Sequence, residues 1–263
     1  MTSSDRPLAA FSRYAAGRSH DLGRMDFKAL VPAFFLYPTV LLYLVLAAGA
    51  GGLALQAGIA REPVRAGAAV IATFIVYALV WYGLHRFVLH ARLLYRSPLT
   101  ARLWKRIHFD HHQDPHRMAV LFGSPVTTLP TIAAVTLPLG YAIGGWAGAW
   151  DALFAGLAIT VIYEFCHCCM HLNYTPRQRW LQRAKTMHMA HHFHDETGNY
   201  GIISFWPDLL FGTLYRQPAE RQRSATVFNL GYDSAAEQAY PWVAALSRSS
   251  NAPQQTARRP ARR

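Results

Sequence analysis

The sequence predicts an all-α integral membrane protein of about four transmembrane helices with a helical cap on one membrane face. Three observations carry this expectation. The chain of 263 residues is 52% apolar and only 15% charged, which is too oily for an ordinary soluble domain. Its apolar residues are bunched: Ala29 to Ala60, Ala66 to Leu84 and Met118 to Trp150 carry no charged side chain. A bilayer core of ~30 Å needs about 20 apolar residues as helix. The third observation is the placement of the charge. With spans near 30–56, 64–84, 125–144 and 146–166, only Arg61 and Arg65 of the 26 Lys and Arg residues fall on the far side. The excess of basic residues marks the near face as cytoplasmic and puts both termini there.

The elements follow in chain order. Residues 1–28 are polar and basic and form an interfacial arm. The first apolar run starts late and has no small-residue cleavage site, so it reads as a retained span rather than a signal peptide. It ends in Gly-rich AGAGG and a turn at Arg61-Glu62-Pro63. The second span runs into GLHRFVLH. In the basic loop from Ala91 to Ser124, residues from Leu99 to His112 have a helical pattern. The third and fourth spans are separated only by Gly144-Gly145, a full hairpin or a re-entrant one. Another helix is expected over Thr175 to His194, starting near Pro176, because proline suits the first helical turn. Residues 29–215 then form the membrane domain, 216–246 a segment packed on the cap, and 247–263 a Ser-, Pro- and Arg-rich tail expected to be disordered.

Cys166, Cys168 and Cys169 lie in one stretch and supply no disulfide framework; they read as small helix filler. The formal net charge of +12 is accounted for by topology, and no nucleic-acid-binding motif accompanies it.

Thirteen histidines are present, and ten fall in four windows: His85 and His90; His108, His111 and His112; His167 and His171; His188, His191 and His192. Residues i, i+3 and i+4 share a helix face, so HFDHH (108–112) and HMAHH (188–192) each present three imidazoles to one side. His167 and His171 also share a face. His85 and His90 are five apart, about 140° round an ideal helix, and point together only if the helix ends between them. The second and fourth spans run the same way, so all four windows converge on one membrane face. Buried without partners, each ring would cost roughly 2–7 kcal/mol, and ten would exceed the ~5–15 kcal/mol stability of a typical domain. Imidazole suits Zn, Fe, Cu and Ni; ten exceed one ion's needs, and five for each of two ions is reasonable. The sequence thus predicts a dinuclear metal site in the cap, in preference to pH-sensing histidines. His20, His116 and His194 fall outside the spacing. Haem ligation would need two or four histidines facing the bilayer interior. A transporter would place its ligands near the midplane, and the HExxH of a zinc hydrolase is absent.

At these residues the sequence resembles the fatty acid hydroxylase/sterol desaturase superfamily of membrane di-iron enzymes, over roughly residues 80–215. The matching pieces are HRFVLH (85–90), HFDHH, YEFCHCCMH (163–171), HMAHH and NYGIISFWPDLLFGT (199–213). The Tyr-acid-x-x-His-x-x-x-His string of the third looks most like the fatty acid 2-hydroxylase-like branch. Leu172 and Pro207 depart from the family pattern, standing where relatives carry a further His and a Trp. The resemblance implies that the ten histidines are ligands of two Fe ions. It also implies that O2 and two electrons oxidise an unactivated C–H bond on a membrane lipid: a fatty acyl chain or related lipid, a sterol or a carotenoid. It favours hydroxylation, with desaturation as the alternative outcome at the same site. The cytochrome b5 domain of some relatives is not found, so electrons are expected from a separate reductase, ferredoxin or cytochrome b5-like protein. The composition fits a bacterial inner membrane.

Metal-bound histidines donate their second N–H to a carboxylate or carbonyl. Glu164, one turn before His167, is the first candidate for that role, followed by Asp195 and Asn199, then Asp110 and Asp208. Phe74, Tyr77 and Trp81 are candidate lining for a substrate slot, with lipid-facing or packing roles preferred for them.

Overall fold

The computed structural model describes residues 20–251, with side chains over 20–247. Among these residues the chain is helical, and no strand forms beyond a single antiparallel bridge between Asp21 and Arg117. The helices are α1 (Phe27–Phe35), α2 (Pro38–Gln56), α3 (Pro63–Leu84), α4 (Pro98–Trp104), α5 (Pro125–His171), α6 (Arg179–Phe193), α7 (Trp206–Leu210), α8 (Ser234–Ala239) and α9 (Trp242–Asn251).

Three of them, α2, α3 with its extension to Leu89, and α5, are long and apolar enough to cross a bilayer. Their apolar side chains are not confined to a core-facing stripe. Leu41, Leu42, Leu44, Val45 and Leu46 on α2, and Val70, Ile71, Phe74 and Ile75 on α3, are all exposed. A helix that is apolar all round and exposed belongs in lipid.

The first predicted span is shorter than the uncharged run that suggested it. Pro38 disfavours helical geometry at the preceding residue; Tyr37 is extended, and the chain restarts with Pro38 in the first turn of α2. Residues 27–35 form the separate helix α1, capped by Asp26, whose carboxylate accepts from Ala29 N–H. The part of the expected arm that is described is tied down: Leu22 is fully buried, its N–H donates to the His116 carbonyl, and its own carbonyl accepts from Asn173 N–H. Residues 1–19 of the arm lie outside the described residues.

Helix α5 is two helices joined at a bend. Gly144 and Gly145 have non-helical backbone angles, with φ of +60° at Gly145, a conformation that glycine adopts without Cβ strain. The two halves, 125–143 and 146–171, fold back on each other. A Cβ on Gly140 would strike the backbone of Gly148, and one on Gly156 would strike Thr136 and Ile132. The bend lies beside Arg65, level with the turn that joins α2 to α3. Exposed Tyr141 and Trp146 sit there too, as aromatic residues do at membrane–water interfaces. Replacing Gly140 by valine is expected to force the halves apart and destabilise the protein by about 1–3 kcal/mol or more. Thermal unfolding in detergent checks this, with the exposed Gly49→Val, which meets no neighbour, as control.

At the opposite end of the bundle α3 does not stop at His85. It widens into a π-helical turn, His85–Leu89. Helix α4 likewise passes through a π-helical turn, Lys105–Phe109, into a last turn at Asp110–Gln113. The expected helix over 175–194 starts later, at Arg179. The Lys185 ammonium binds the Leu172 and Tyr174 carbonyls and holds the preceding segment as a loop. The C-terminal segment covers α4: Leu230, Tyr232 and Val243 bury against Tyr95, Ala101, Trp104 and Phe109. Helix α9 continues to Asn251, past the Ser247 at which disorder was expected; residues 252–263 lie outside the described residues.

Candidate metal centre

The ten predicted histidines come together, nine of them buried and His90 nearly so. They form two groups of five. One holds His85, His90, His108, His112 and His191; the other holds His111, His167, His171, His188 and His192. In each group one nitrogen per ring lies within 4.8 Å of all the others. The groups adjoin, with the His112 and His192 rings 4.3 Å apart and those of His191 and His192 5.4 Å apart.

Helical geometry explains the sorting. In each HxxHH the residues at i and i+4 project to one group and the residue at i+3, about 100° away from its successor, projects to the other. His108 and His112 join the pair at the end of α3, and His188 and His192 join the pair at the end of α5. The middle histidine of each motif crosses over: His111 to the α5 group, His191 to the α3 group. The two halves of the chain thus build matching sites and exchange one ligand each.

The π-helical turn at the end of α3 resolves the awkward five-residue spacing. His90 N–H donates to the His85 carbonyl at 3.0 Å, an i→i+5 bond, so the wider turn brings both rings to one face. Their Nε2 atoms are 3.2 Å apart, and His90 Nε2 is 2.8 Å from His108 Nε2. The sequence expectation that the helix must end between them is corrected: it widens instead, as helices often do at functional sites.

Three rings are oriented by backbone carbonyls. His85 Nδ1–H donates to Tyr200 O at 2.5 Å, His191 Nδ1–H to Gly198 O at 2.7 Å and His112 Nδ1–H to Val227 O at 3.0 Å. A carbonyl only accepts, so each bond fixes the proton on Nδ1 and turns the Nε2 lone pair toward the group centre. Nε2 of His112 and His191 is buried with no protein partner, and so are Nε2 of His167 and both nitrogens of His111. In the α5 group, His171 and His188 approach through Nε2 at 2.9 Å, and Nδ1 of His192 is unpaired. Orphaned lone pairs converging from five sides, without carboxylate or thiolate, are the donor set of a metal that accepts imidazole.

Burial holds His108, His111, His112, His188 and His192 well below the ordinary histidine range, with neighbouring imidazoles adding to the effect. Burial also lowers His191, to about 4, against the Gly198 hydrogen bond, which raises it. All six are neutral at pH 7, the form that ligates. The sign follows directly. Below about pH 6.5 the unfolded chain takes up protons that the buried rings refuse, so stability falls as pH falls. Thermal unfolding is expected to shift steeply downward below about pH 6.5, with bound metal lost over the same range; a flat profile would contradict this.

The carboxylates and amide expected to touch these rings act differently. Glu164 is buried, but its Oε2 is 3.9 Å from His167 Nδ1, too far for a hydrogen bond. Asp195 touches no imidazole. It accepts from Thr197 and pairs with Arg221 at 3.0 Å; burial pushes its carboxyl up, but these contacts more than offset it and leave it below the usual range. Asn199, fully buried with φ of +54°, clamps Tyr215 from both sides of its amide. Asp208 accepts from the N–H groups of Tyr200 and Gly201 and from the Thr213 hydroxyl. Asp195, Asn199 and Asp208 thus shape the 195–215 loop, and the loop's carbonyls hold the rings. Asp110 pairs with Lys105 at 2.5 Å. His116 and His194 join neither group; they donate to the carbonyls of His171 and Arg221. No cysteine joins either group.

A cavity of about 310 Å³ opens beside the rings. His85, His108, His111, His167 and His188, from both groups, form one wall, and Tyr77, Val80, Trp81, Leu84, Ile132 and Val135 are among those that continue it between α3 and the first half of α5. Tyr77 and Trp81 line it, the less favoured of the roles the sequence allowed them; Phe74 faces outward.

Apolar helices that carry two all-histidine clusters at one end, beside an apolar cavity, define a membrane protein with a paired centre able to hold metal. The chain belongs to the fatty acid hydroxylase family: the family's model matches residues 70–213, close to the range carried by the motifs. It is 30% identical over 145 residues to the ceramide very long chain fatty acid hydroxylase SCS7 of Saccharomyces cerevisiae, covering 52% of this chain and 35% of that one. It is 28% identical over 151 residues to the fatty acid 2-hydroxylase of Rattus norvegicus, covering 56% and 39%. The chain therefore matches about a third to two-fifths of these relatives' length. The solved structure of full-length scs7p, in which only the hydroxylase domain is visible, superposes with a TM-score of 0.60 at 25% identity over 73% of this chain and 69% of that one.

Proposed function

We propose that this chain is an O2-dependent membrane hydroxylase that places a hydroxyl group on a fatty acyl chain or related lipid. The observation that carries the reading is that both histidine groups open onto one apolar cavity reaching between α3 and α5. The ten histidines would hold two iron ions. When bound, the pair supplies reduction of O2 and oxidation of an unreactive C–H bond, with two electrons from a separate donor protein.

The rest is work for the chain's own side chains. His85, His112 and His191, locked by carbonyls, present lone pairs without reorganisation. The cavity wall excludes water and holds a lipid chain against the rings, which makes the encounter intramolecular in effect. In the proposed topology α2, α3 and both halves of α5 cross the membrane, and the basic residues place the histidine end on the cytoplasmic side. The similarity to a ceramide very long chain fatty acid hydroxylase and a fatty acid 2-hydroxylase supports this substrate class.

The test is a lipid profile by mass spectrometry in cells under labelled O2, expressing the intact chain or its His167→Ala and His191→Ala variants. A lipid that gains one labelled oxygen only with the intact chain is the expected result. Loss of two hydrogens without label would make the chain a desaturase. No lipid change, with the protein folded, iron-loaded and supplied with a competent reductase, would overturn the proposal.

A further inference from the structure

Outside the histidines, the cavity wall contains two buried polar atoms that no protein group pairs, Nε1 of Trp81 and Oγ1 of Thr73. Other threonines of the wall behave differently: Thr127, Thr131 and Thr136 return their hydroxyls to carbonyls of their own helix or its cap. Trp81 stands one turn before His85 on the same face of α3, with the two rings 6.1 Å apart. Its indole is fixed edge-on against Tyr163 at 4.9 Å. Thr73 is twelve residues from His85, about 18 Å along the helix. An indole N–H donates and never accepts, and a buried donor without an acceptor is costly. Chain methylenes offer it nothing. The cavity therefore suits a ligand that is apolar along its length and carries an accepting oxygen close to the histidines.

We propose that Trp81 is a positioning residue that sets where the substrate is oxidised. Its Nε1–H donates to the carbonyl oxygen of an acyl lipid, so the carbon presented to the histidines is one adjoining that carbonyl. This deepens the hydroxylase reading and rests on it. Anchoring of the same oxygen at Thr73 would instead expose a carbon roughly 12 Å further along the chain, eight helical residues away.

Trp81→Phe keeps an aromatic ring and removes the donor. With the intact chain, fragment masses are expected to place the labelled oxygen next to the carbonyl. With Trp81→Phe the label is expected to spread along the chain, while Thr73→Val leaves its position unchanged. A second readout needs no turnover. Octadecanamide and octadecane compete with a fluorescent acyl amide for the intact, detergent-solubilised chain. The amide is expected to win by about two- to tenfold, the worth of one hydrogen bond, and to lose that advantage in Trp81→Phe. If Trp81→Phe does not accumulate, the intact chain still decides, because octadecane should bind more weakly than the amide. The proposal is overturned by a mid-chain label with the intact chain, by an unchanged label position in Trp81→Phe, or by equal binding of amide and hydrocarbon. Absence of any oxygenated lipid with the intact chain would instead overturn the hydroxylase reading, and the binding comparison would then judge Trp81 alone.

Discussion

Replacing His191 by alanine is expected to lower lipid oxygenation by at least about 100-fold, since even changes behind a ligand cost 10–100-fold. The reason is its place in the exchange between halves. His191 stands on α6 among residues that serve the α5 group, yet its ring completes the α3 group. Alanine removes one of five donors there and leaves the Gly198 carbonyl without its partner. The ion of the α3 group should be lost, while the α5 group keeps all five rings. His111→Ala should do the converse. His194→Ala, just past the C-terminal end of the same helix, is the control. Its Nε2–H donates only to the Arg221 carbonyl, so its loss should cost about 1 kcal/mol of stability and leave metal content and activity near normal. Equal loss in His191→Ala and His194→Ala would show that these rings act by packing rather than ligation.

Asp208→Ala is expected to be the most damaging change outside the histidines. The carboxylate is fully buried and accepts from Tyr200 N–H at 2.8 Å, Gly201 N–H at 2.8 Å and the Thr213 hydroxyl at 2.7 Å. Each buried donor left unpaired costs about 1–3 kcal/mol, so the loss should reach about 3 kcal/mol or more. The effect should extend to the site. Tyr200 is the residue whose carbonyl receives the His85 proton, and the Thr213 hydroxyl also meets the Tyr82 hydroxyl at 3.1 Å, one turn before His85. Freed from Asp208, the loop no longer fixes the His85 ring, and affinity at the α3 group should fall about 10–100-fold. Asp208→Asn, which keeps the shape and one acceptor, should fall between. Thermal unfolding and metal titration together check both effects, and a variant that lost stability but not affinity would separate the loop from the site.

The sequence made the histidine site legible because imidazoles at i, i+3 and i+4 can be read as a helix face. The count of ten also suggested two sets of five. The assignment of each ring to its set was not legible. The middle ring of each HxxHH, about 100° from its successor, serves the other set although all three read as one face, and a π-helical turn joins His85 to His90 across their odd gap. The partners of the rings were misplaced for a related reason. Glu164, Asp195 and Asn199 drew attention because they have polar side chains, whereas Tyr200, Gly198 and Val227 act through carbonyls that every residue possesses. Asn199, Asp195 and Asp208 matter one step back, by shaping the loop that aims the Gly198 and Tyr200 carbonyls. In the membrane part, Gly144-Gly145 marked the bend but not how the halves meet. That required the Gly140–Gly148 contact, which lies eight residues apart across the turn. Pro38 marks in the sequence where the first apolar run divides into two helices, which the length of uncharged chain around it does not show.

The most direct measurement is the metal content of the purified full chain, taken with its absorption spectrum and repeated for His111→Ala and His191→Ala. The account predicts two iron ions per chain and no haem band, with each variant retaining close to one. One ion shared by all ten histidines, a haem spectrum, or full metal content in both variants would contradict it.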